Sequence, residues 1–292
     1  MMQAVIMAGG KGTRLVALTK DEIPKPMVPV AGKPLLLWQV ERLKENGITD
    51  IIMVIGHLGN KIREYFGDGE KFGVAIRYFE ETEPLGTAGS FYYLKDMIHG
   101  DRFVMMSGDL FFDIDFQRMI HFHEEKGAVA TLFVHPNGHP FDSDLLVLDH
   151  DDKITAFDSK HNVRNYWYEN CVNAGIFVFE KKICDYVPEP VKRNLENDVI
   201  KGMLEAGEPI YGYCSPEYVK DVGTVERVNQ TLADIERGVI AGKCLKNKQR
   251  CIFMDRDGTI NQYKGLVYKG EDFTLEDCAV DAIRKINQSG RL

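Results

Sequence analysis

An apolar run from Gln3 to Met7 empties into Ala8-Gly-Gly-Lys-Gly-Thr-Arg14, and Pro24-Lys25-Pro26-Met27 follows shortly after. No other stretch limits the possible folds as much. The run reads as a buried strand that delivers its end into a glycine-rich turn. Gly9, Gly10 and Gly12 can take backbone angles that side chains disfavour, so several N–H groups can converge on one anion. Lys11, Arg14 and Lys25 add cations, and Thr13 adds a hydroxyl. Such a loop suits a polyphosphate on which negative charge shifts during reaction. The spacing is neither a P-loop, which needs Gly-Lys-Ser/Thr, nor a Gly-x-Gly-x-x-Gly dinucleotide turn. A tight structural turn is the bland alternative; Thr13-Arg14-Leu15 and Pro24-Lys25-Pro26-Met27 weigh against it.

Beyond the loop, apolar residues at helical spacing run from Pro34 to Leu43 and stop at Asn46-Gly47. Asp50 to Ile55 reads as a second strand, Gly59 to Phe66 as a short helix and Gly73 to Phe79 as a third strand. A strand from Phe103 ends at Ser107-Gly108-Asp109, and Asp113 and Asp115 are expected to cap a helix from Phe116 to Glu125. Further strands are expected at Ala128 to His135, Leu145 to Leu148, Cys171 to Phe179 and Pro209 to Cys214, with a helix from Leu195 to Ala206. His135 and His139 are expected to face solvent. Strands alternating with helices predict an α/β fold, a mostly parallel Rossmann-like sheet with helices on both faces. In such sheets ligands lie beyond the carboxyl ends of the strands, where the opening loop and Asp109 both belong.

The segment from Met7 to Leu36, closing on Val30-Ala-Gly-Lys-Pro-Leu-Leu36, resembles the opening of the sugar-1-phosphate nucleotidyltransferases, and the resemblance covers about residues 3–237. One departure is Val16-Ala17-Leu18-Thr19, where that family has a proline before Leu-Thr. The resemblance implies that Ala8, Gly9, Gly10, Lys11, Gly12 and Thr13 hold a nucleoside triphosphate. It makes Arg14 the stabiliser of charge on the α/β bridge and gives Lys25 the α-phosphate. Pro84-Leu-Gly86-Thr87-Ala-Gly89 matches the family's nucleobase loop, which adds Pro84, Gly86 and Thr87 to the nucleotide site. Where uridine- and thymidine-using relatives carry glutamine, this chain has Glu81, or Glu83 if the register shifts. A carboxylate only accepts hydrogen bonds, so it suits guanine, whose N1–H stands beside an exocyclic amine, and repels the carbonyls of uracil.

Ser107-Gly-Asp109 and Asp221-Val-Gly-Thr224 resemble the two segments whose aspartates bind Mg2+ in that family. Two carboxylates suit a hard cation that takes its other ligands from water and phosphate oxygens. On the acceptor side, Asn173-Ala-Gly175 resembles the sugar-contacting strand, and Glu169 is a candidate acceptor for sugar hydroxyls. Lys160 stands where relatives carry the lysine of a Glu-Lys pair that contacts the sugar phosphate. Tyr166-Trp-Tyr168 suits either a sugar cover or core packing.

The nucleotidyltransferase domain is expected to span 1–237, followed by a linker at 238–249 and a second unit at 250–292. That unit opens with an apolar stretch read as a strand presenting Asp255 and Asp257, and ends in a helix with Ala279, Ala282, Ile283 and Ile286 on one face. Its Asp-Arg-Asp-Gly-Thr-Ile-Asn261 resembles the haloacid-dehalogenase-like phosphatases, especially the histidinol-phosphate and heptose-bisphosphate branch. That resemblance makes Asp255 the nucleophile and Asp257 the general acid/base. The supporting elements of such a domain do not follow, so the unit reads as a truncated, vestigial phosphatase.

A net charge of −8 argues against nucleic acid as partner. No run approaches the roughly 18 apolar residues of a membrane span, and the chain enters a strand directly, so a cytoplasmic protein is expected. Six cysteines without metal-site spacing read as reduced thiols. Homo-oligomerisation stays open. The expected reaction transfers GMP from GTP to a sugar 1-phosphate with Mg2+ as cofactor, releasing pyrophosphate and supplying surface polysaccharide synthesis. A bisphosphate phosphatase that removes the distal phosphate leaves a sugar 1-phosphate. The tail therefore points to D-glycero-α-D-manno-heptose 1-phosphate as acceptor, ahead of mannose 1-phosphate and other hexose 1-phosphates. The competing class is a non-catalytic subunit that binds nucleotide sugars. Such a chain should have lost a charged reacting group, and Arg14, Lys25, Asp109 and Asp221 are all present.

Overall fold

Alternation along the first strand, Gln3–Met7, sets up two cores at once. Ala4 and Ile6 point to one face of the sheet and Val5 to the other, as a period of two requires. The first face meets Leu36, Val40 and Leu43 of helix Leu35–Glu45, Phe66 of Gly59–Phe66 and Phe116 of Phe116–Glu125. The second meets Phe91 and Leu94 of Phe91–Met97 and Val199, Ile200 and Met203 of the helical stretch 195–205. Each such side chain contributes about 1.5–3 kcal/mol when fully buried. Strands covered on both faces therefore carry unbroken apolar runs. The structure is a computed structural model that describes residues 2–10, 15–289 and 291.

Seven strands form the main sheet in the order Ile210–Cys214, Ala130–His135, Val172–Glu180, Arg102–Ser107, Gln3–Met7, Asp50–Ile55 and Ala75–Glu80. All run one way except Val172–Glu180, which is antiparallel to both neighbours. The architecture is the mostly parallel sheet with helices on both faces that the sequence implies. The reversed strand begins where the others end, so Asn173 shares an edge with Ala8, Glu81 and Asp109. Two short strands complete that edge. Leu110–Asp113 pairs with Tyr218–Asp221, Leu110 stands opposite Asp221, and Val222 N–H donates to the Asp109 carbonyl at 2.9 Å. A third core containing Leu15, Val28, Val30, Phe111, Tyr218 and Val222 ties the far end of the opening loop to this pair.

Several local expectations need correction. Asp115 does cap helix Phe116–Glu125, accepting from Gln117 N–H at 3.1 Å, but Asp113 ends its strand and pairs with Arg42 at 3.2 Å instead. His135 is half-buried beside Lys243 rather than in solvent, and burial, with the Lys243 charge, lowers its pKa. The expected linker begins with a helix, Val239–Lys243, whose Val239 and Ile240 are buried. The expected strand before Asp255 is not formed: 251–255 are neither strand nor helix, and Phe253 is 94% exposed. A strand needs neighbours for its N–H and C=O groups, and among the described residues none pairs with this stretch. The segment closes instead around buried Asn261, which bridges to Asp257 and Leu275. The helix expected beyond it is present as Ala279–Gln288.

Candidate active site

Ala8 leaves the sheet almost fully buried, its N–H donating to the Val54 carbonyl at 2.8 Å. Gly9 then passes close to its neighbours: a Cβ there would stand 2.9 Å from Glu81 Oε2, displacing that carboxylate, and 3.4 Å from the Gly56 backbone nitrogen. Space is the reason for this glycine, since neither Gly9 nor Gly10 is among the glycines with positive φ, contrary to the sequence expectation. Gly108 is as tight, because its Cβ would meet the Met7 carbonyl oxygen at 2.9 Å. Lys11, Gly12, Thr13 and Arg14 lie outside the described residues.

Pro24 and Pro26 bracket Lys25 in a single 3-10 turn, Lys25–Met27, and their fixed φ angles stiffen it. The Lys25 ammonium forms an ion pair with Asp109 Oδ2, and Ser107 Oγ donates to Asp109 Oδ1 at 2.6 Å. Burial pushes the Asp109 carboxyl up, but the Lys25 charge and these hydrogen bonds outweigh it and hold the group below its ordinary pKa. The turn that carries Asp109 is clamped from within the fold by Gln39, whose buried amide donates to Ser107 O at 3.0 Å and Leu110 O at 2.6 Å. Asp221 arrives on the paired strand. Its Oδ2 accepts from Arg227 Nη1 at 2.6 Å, while its Oδ1 is buried without a protein partner. An orphaned buried oxygen is costly unless a ligand takes it. Among the described residues no group of three or more His, Cys, Asp or Glu side chains could hold a metal. Two hard carboxylates, one with a vacant oxygen, still fit Mg2+ when substrates supply the remaining ligands.

Glu81 follows the strand Ala75–Glu80, and its N–H donates to the Ile55 carbonyl at 2.8 Å. Its Oε1 is buried without a partner, and burial raises its pKa against the opposing Leu85 N–H. Glu83 is exposed. Gly86 has φ +76°, and a Cβ there would stand 2.3 Å from the Arg193 carbonyl oxygen. Thr87 Oγ1 accepts from Leu195 N–H at 2.7 Å, so Gly86 and Thr87 fasten this loop to the segment 193–195. Pro84 is exposed in the same loop.

On the acceptor side, Asn173 Oδ1 accepts from Gly175 N–H at 3.0 Å and its Nδ2 donates to Glu196 Oε1 at 3.1 Å. Burial raises the Glu196 carboxyl. Gly175 has φ +78°, with Leu110 Cδ1 only 3.4 Å from where a Cβ would stand. Asn173, Leu110, Asp221 and Arg227 line one cleft of about 860 Å³. Lys160 and Glu169 do not line it. Lys160 is exposed, with its backbone N–H donating to Asp144 Oδ1 at 2.9 Å. Glu169 lines a separate cavity of about 400 Å³ with Tyr166, Trp167 and Tyr168. Sequence reasoning missed Gln39 and Glu196. Gln39 had a signal, being a polar residue in the buried stripe of Leu36, Val40 and Leu43; Glu196 had none.

The family described as Nucleotidyl transferase matches residues 3–238. The chain belongs to that family. This nucleotidyl transferase is 33% identical over 261 residues to UTP–glucose-1-phosphate uridylyltransferase of Synechocystis sp., covering 85% of its own length and 66% of that relative. It is 32% identical over 246 residues to mannose-1-phosphate guanylyltransferase of Mycobacterium tuberculosis, covering 84% of itself and 67% of the relative. The chain thus spans about two thirds of the length of these curated relatives. HddC from Yersinia pseudotuberculosis shares the fold with a TM-score of 0.69 at 25% identity, over 80% of this nucleotidyl transferase and 100% of that chain. A putative glucose-1-phosphate thymidylyltransferase from Bacillus anthracis has the same fold, at a TM-score of 0.68 and 23% identity over 80% and 94% of the two chains. Among the described residues no helix is long and apolar enough to cross a membrane.

Proposed function

We propose that this nucleotidyl transferase moves GMP from GTP to a sugar 1-phosphate and releases pyrophosphate. The observation that carries the reading is the Lys25–Asp109 ion pair at the sheet edge where the glycine-rich turn begins, with the strand that ends at Asp221 paired to the one that follows Asp109. A sugar phosphate is already ionised at neutral pH, so its oxygen attacks the α-phosphorus in line without a protein nucleophile. Catalysis is then positioning and charge neutralisation. Lys25 holds the α-phosphate, and Lys11, Thr13 and Arg14 belong to the loop that receives the rest of the triphosphate. Asp109 and Asp221 hold Mg2+, which when bound neutralises phosphate charge. Asn173 and Gly175 receive the sugar.

Glu81 reads the base. Its carboxylate reaches Gly9 and keeps an unpartnered buried oxygen, which favours it over exposed Glu83 as the acceptor for guanine N1–H and its amine. The relative from Mycobacterium tuberculosis carries a guanylyltransferase name, which supports the same base. For the sugar, the resemblance of Asp255-Arg-Asp257-Gly-Thr259 to heptose-bisphosphate phosphatases supports D-glycero-α-D-manno-heptose 1-phosphate. The test is pyrophosphate release from a panel of nucleoside triphosphates crossed with a panel of sugar 1-phosphates. The highest kcat/KM is expected for GTP with the heptose. A preference for UTP refutes the role of Glu81, and a preference for mannose 1-phosphate refutes the heptose while leaving guanylyl transfer standing.

A further inference from the structure

We infer that the C-terminal helix Ala279–Gln288 belongs to the acceptor site, its last turn forming the outer wall of the cleft that takes the sugar 1-phosphate. The inference rests on the functional reading above. The cleft of about 860 Å³ is lined by Asp221 and Asn173 and also by Asn287, Gln288 and Arg291. The helix packs only partly, with Ala279 buried and Ala282, Ile283 and Ile286 half-buried, while Asn287 and Gln288 stay exposed. The groups it brings to the cleft are polar. Asn287 and Gln288 each carry amide donors and a carbonyl acceptor, the pairing that a sugar hydroxyl can satisfy from either side.

The geometry also assigns which end of the sugar they meet. Of the two proposed metal-binding aspartates Asp221 lines this cleft, so with the acceptor phosphate beside Asp221 the ring extends away from it and across the cleft. The carbons farthest from the phosphate then face the helix. Lys243 and Arg237 line the same cleft, and with Arg291 they keep it cationic where a negatively charged acceptor enters. The tail thus selects among sugars that differ at their distal carbons and leaves the nucleotide, held on the other side of the sheet edge, untouched.

The experiment uses the full chain carrying Asn287→Ala and Gln288→Ala together. Lys285→Ala, on the same helix but outside the cleft lining, serves as control. Steady-state kinetics are measured for the preferred nucleoside triphosphate and sugar 1-phosphate, with Tm recorded for each protein. The expected result is a KM for the sugar 1-phosphate raised about tenfold, equivalent to about 1.4 kcal/mol. KM for the nucleotide, kcat and Tm should be unchanged, and Lys285→Ala should behave as the unaltered chain. An unaltered acceptor KM in the double variant overturns the inference. So does an equal loss for both substrates, or a fall in Tm that accompanies the loss, since either marks a structural role. Absence of pyrophosphate release from the unaltered chain with every substrate pair overturns the functional reading itself, and this inference with it.

Discussion

Replacing Glu81 by glutamine keeps the shape of the side chain and removes its charge, and the structure assigns opposite signs to the effects on activity and stability. Oε1 is buried without a partner and burial raises the carboxyl pKa, so in the empty protein the ionised group is a cost. Glutamine keeps a polar atom at that unpartnered position and relieves only the desolvated charge, part of which solvent already screens because Glu81 is half-buried. The expected gain for Glu81→Gln is therefore below about 1 kcal/mol, or at most roughly 2–4 °C in Tm. The sign follows from linkage. With the folded pKa raised, the penalty is present above that pKa and absent below the unfolded value of about 4.3, so the gain should appear at pH 8 and fade towards pH 4. Activity moves the other way. A carboxylate that accepts from two guanine donors is worth about 1–3 kcal/mol, so kcat/KM for GTP should fall roughly 5- to 150-fold. The assays are thermal denaturation across pH and pyrophosphate release with GTP. A glutamine variant that is less stable at pH 8, or that uses GTP unchanged, refutes the reasoning.

Asp109→Asn removes the partner of Lys25 and a proposed ligand of Mg2+, so kcat should fall by orders of magnitude, several kcal/mol of transition-state stabilisation, while circular dichroism shows the fold retained; near-normal turnover would exclude the role. Because the Asp109 pKa is depressed, its pairing stabilises the fold above pH ~4 and is lost as pH falls through the depressed value, so the Tm gap between Asp109→Asn and the unaltered chain should close in acid. Gly108→Ala places a Cβ 2.9 Å from the Met7 carbonyl oxygen and 3.1 Å from Ala8 Cα, both backbone atoms, so a loss of about 1–3 kcal/mol in urea denaturation is expected. Asp255 stands on exposed backbone outside any sheet and Asp257 is occupied by Arg256 at 2.9 Å, so no phosphate should be released from a sugar bisphosphate; measurable release would show that the pair is functional.

Strand Asp50–Ile55 and helix Gly59–Phe66 can be read to the residue from sequence, because apolar runs bounded by turn residues leave one arrangement that buries them. Asp109 and Asp221 are legible as strand-end residues, but the adjacency of their backbones is not. It depends on Leu110–Asp113 pairing with Tyr218–Asp221, a contact between distant segments that periodicity does not encode. Direction is equally hidden: the apolar run Ile176–Phe179 would read the same in a parallel strand. The stretch before Asp255 shows the converse. Local composition there favours a strand, yet no neighbouring strand completes it, and Phe253 stays in solvent.

The reversed strand Val172–Glu180 divides the edge into two halves. Gln3–Met7, Asp50–Ile55 and Ala75–Glu80 carry the turn and loop proposed for the nucleotide, while Asn173 and its neighbours lie on the far side of Arg102–Ser107. Three strands separate Ala75–Glu80 from Val172–Glu180 within the sheet, and the shorter link between the halves runs outside it, from Thr87 to Leu195 and from Glu196 to Asn173. The seam between the halves is Asp109 with its paired strand at Asp221, which neither choice of base nor choice of sugar needs to alter. A substitution that reshapes the loop around Thr87 therefore also bears on Asn173 through the segment 195–196, and the proposed nucleotide and sugar sites are mechanically joined as well as adjacent.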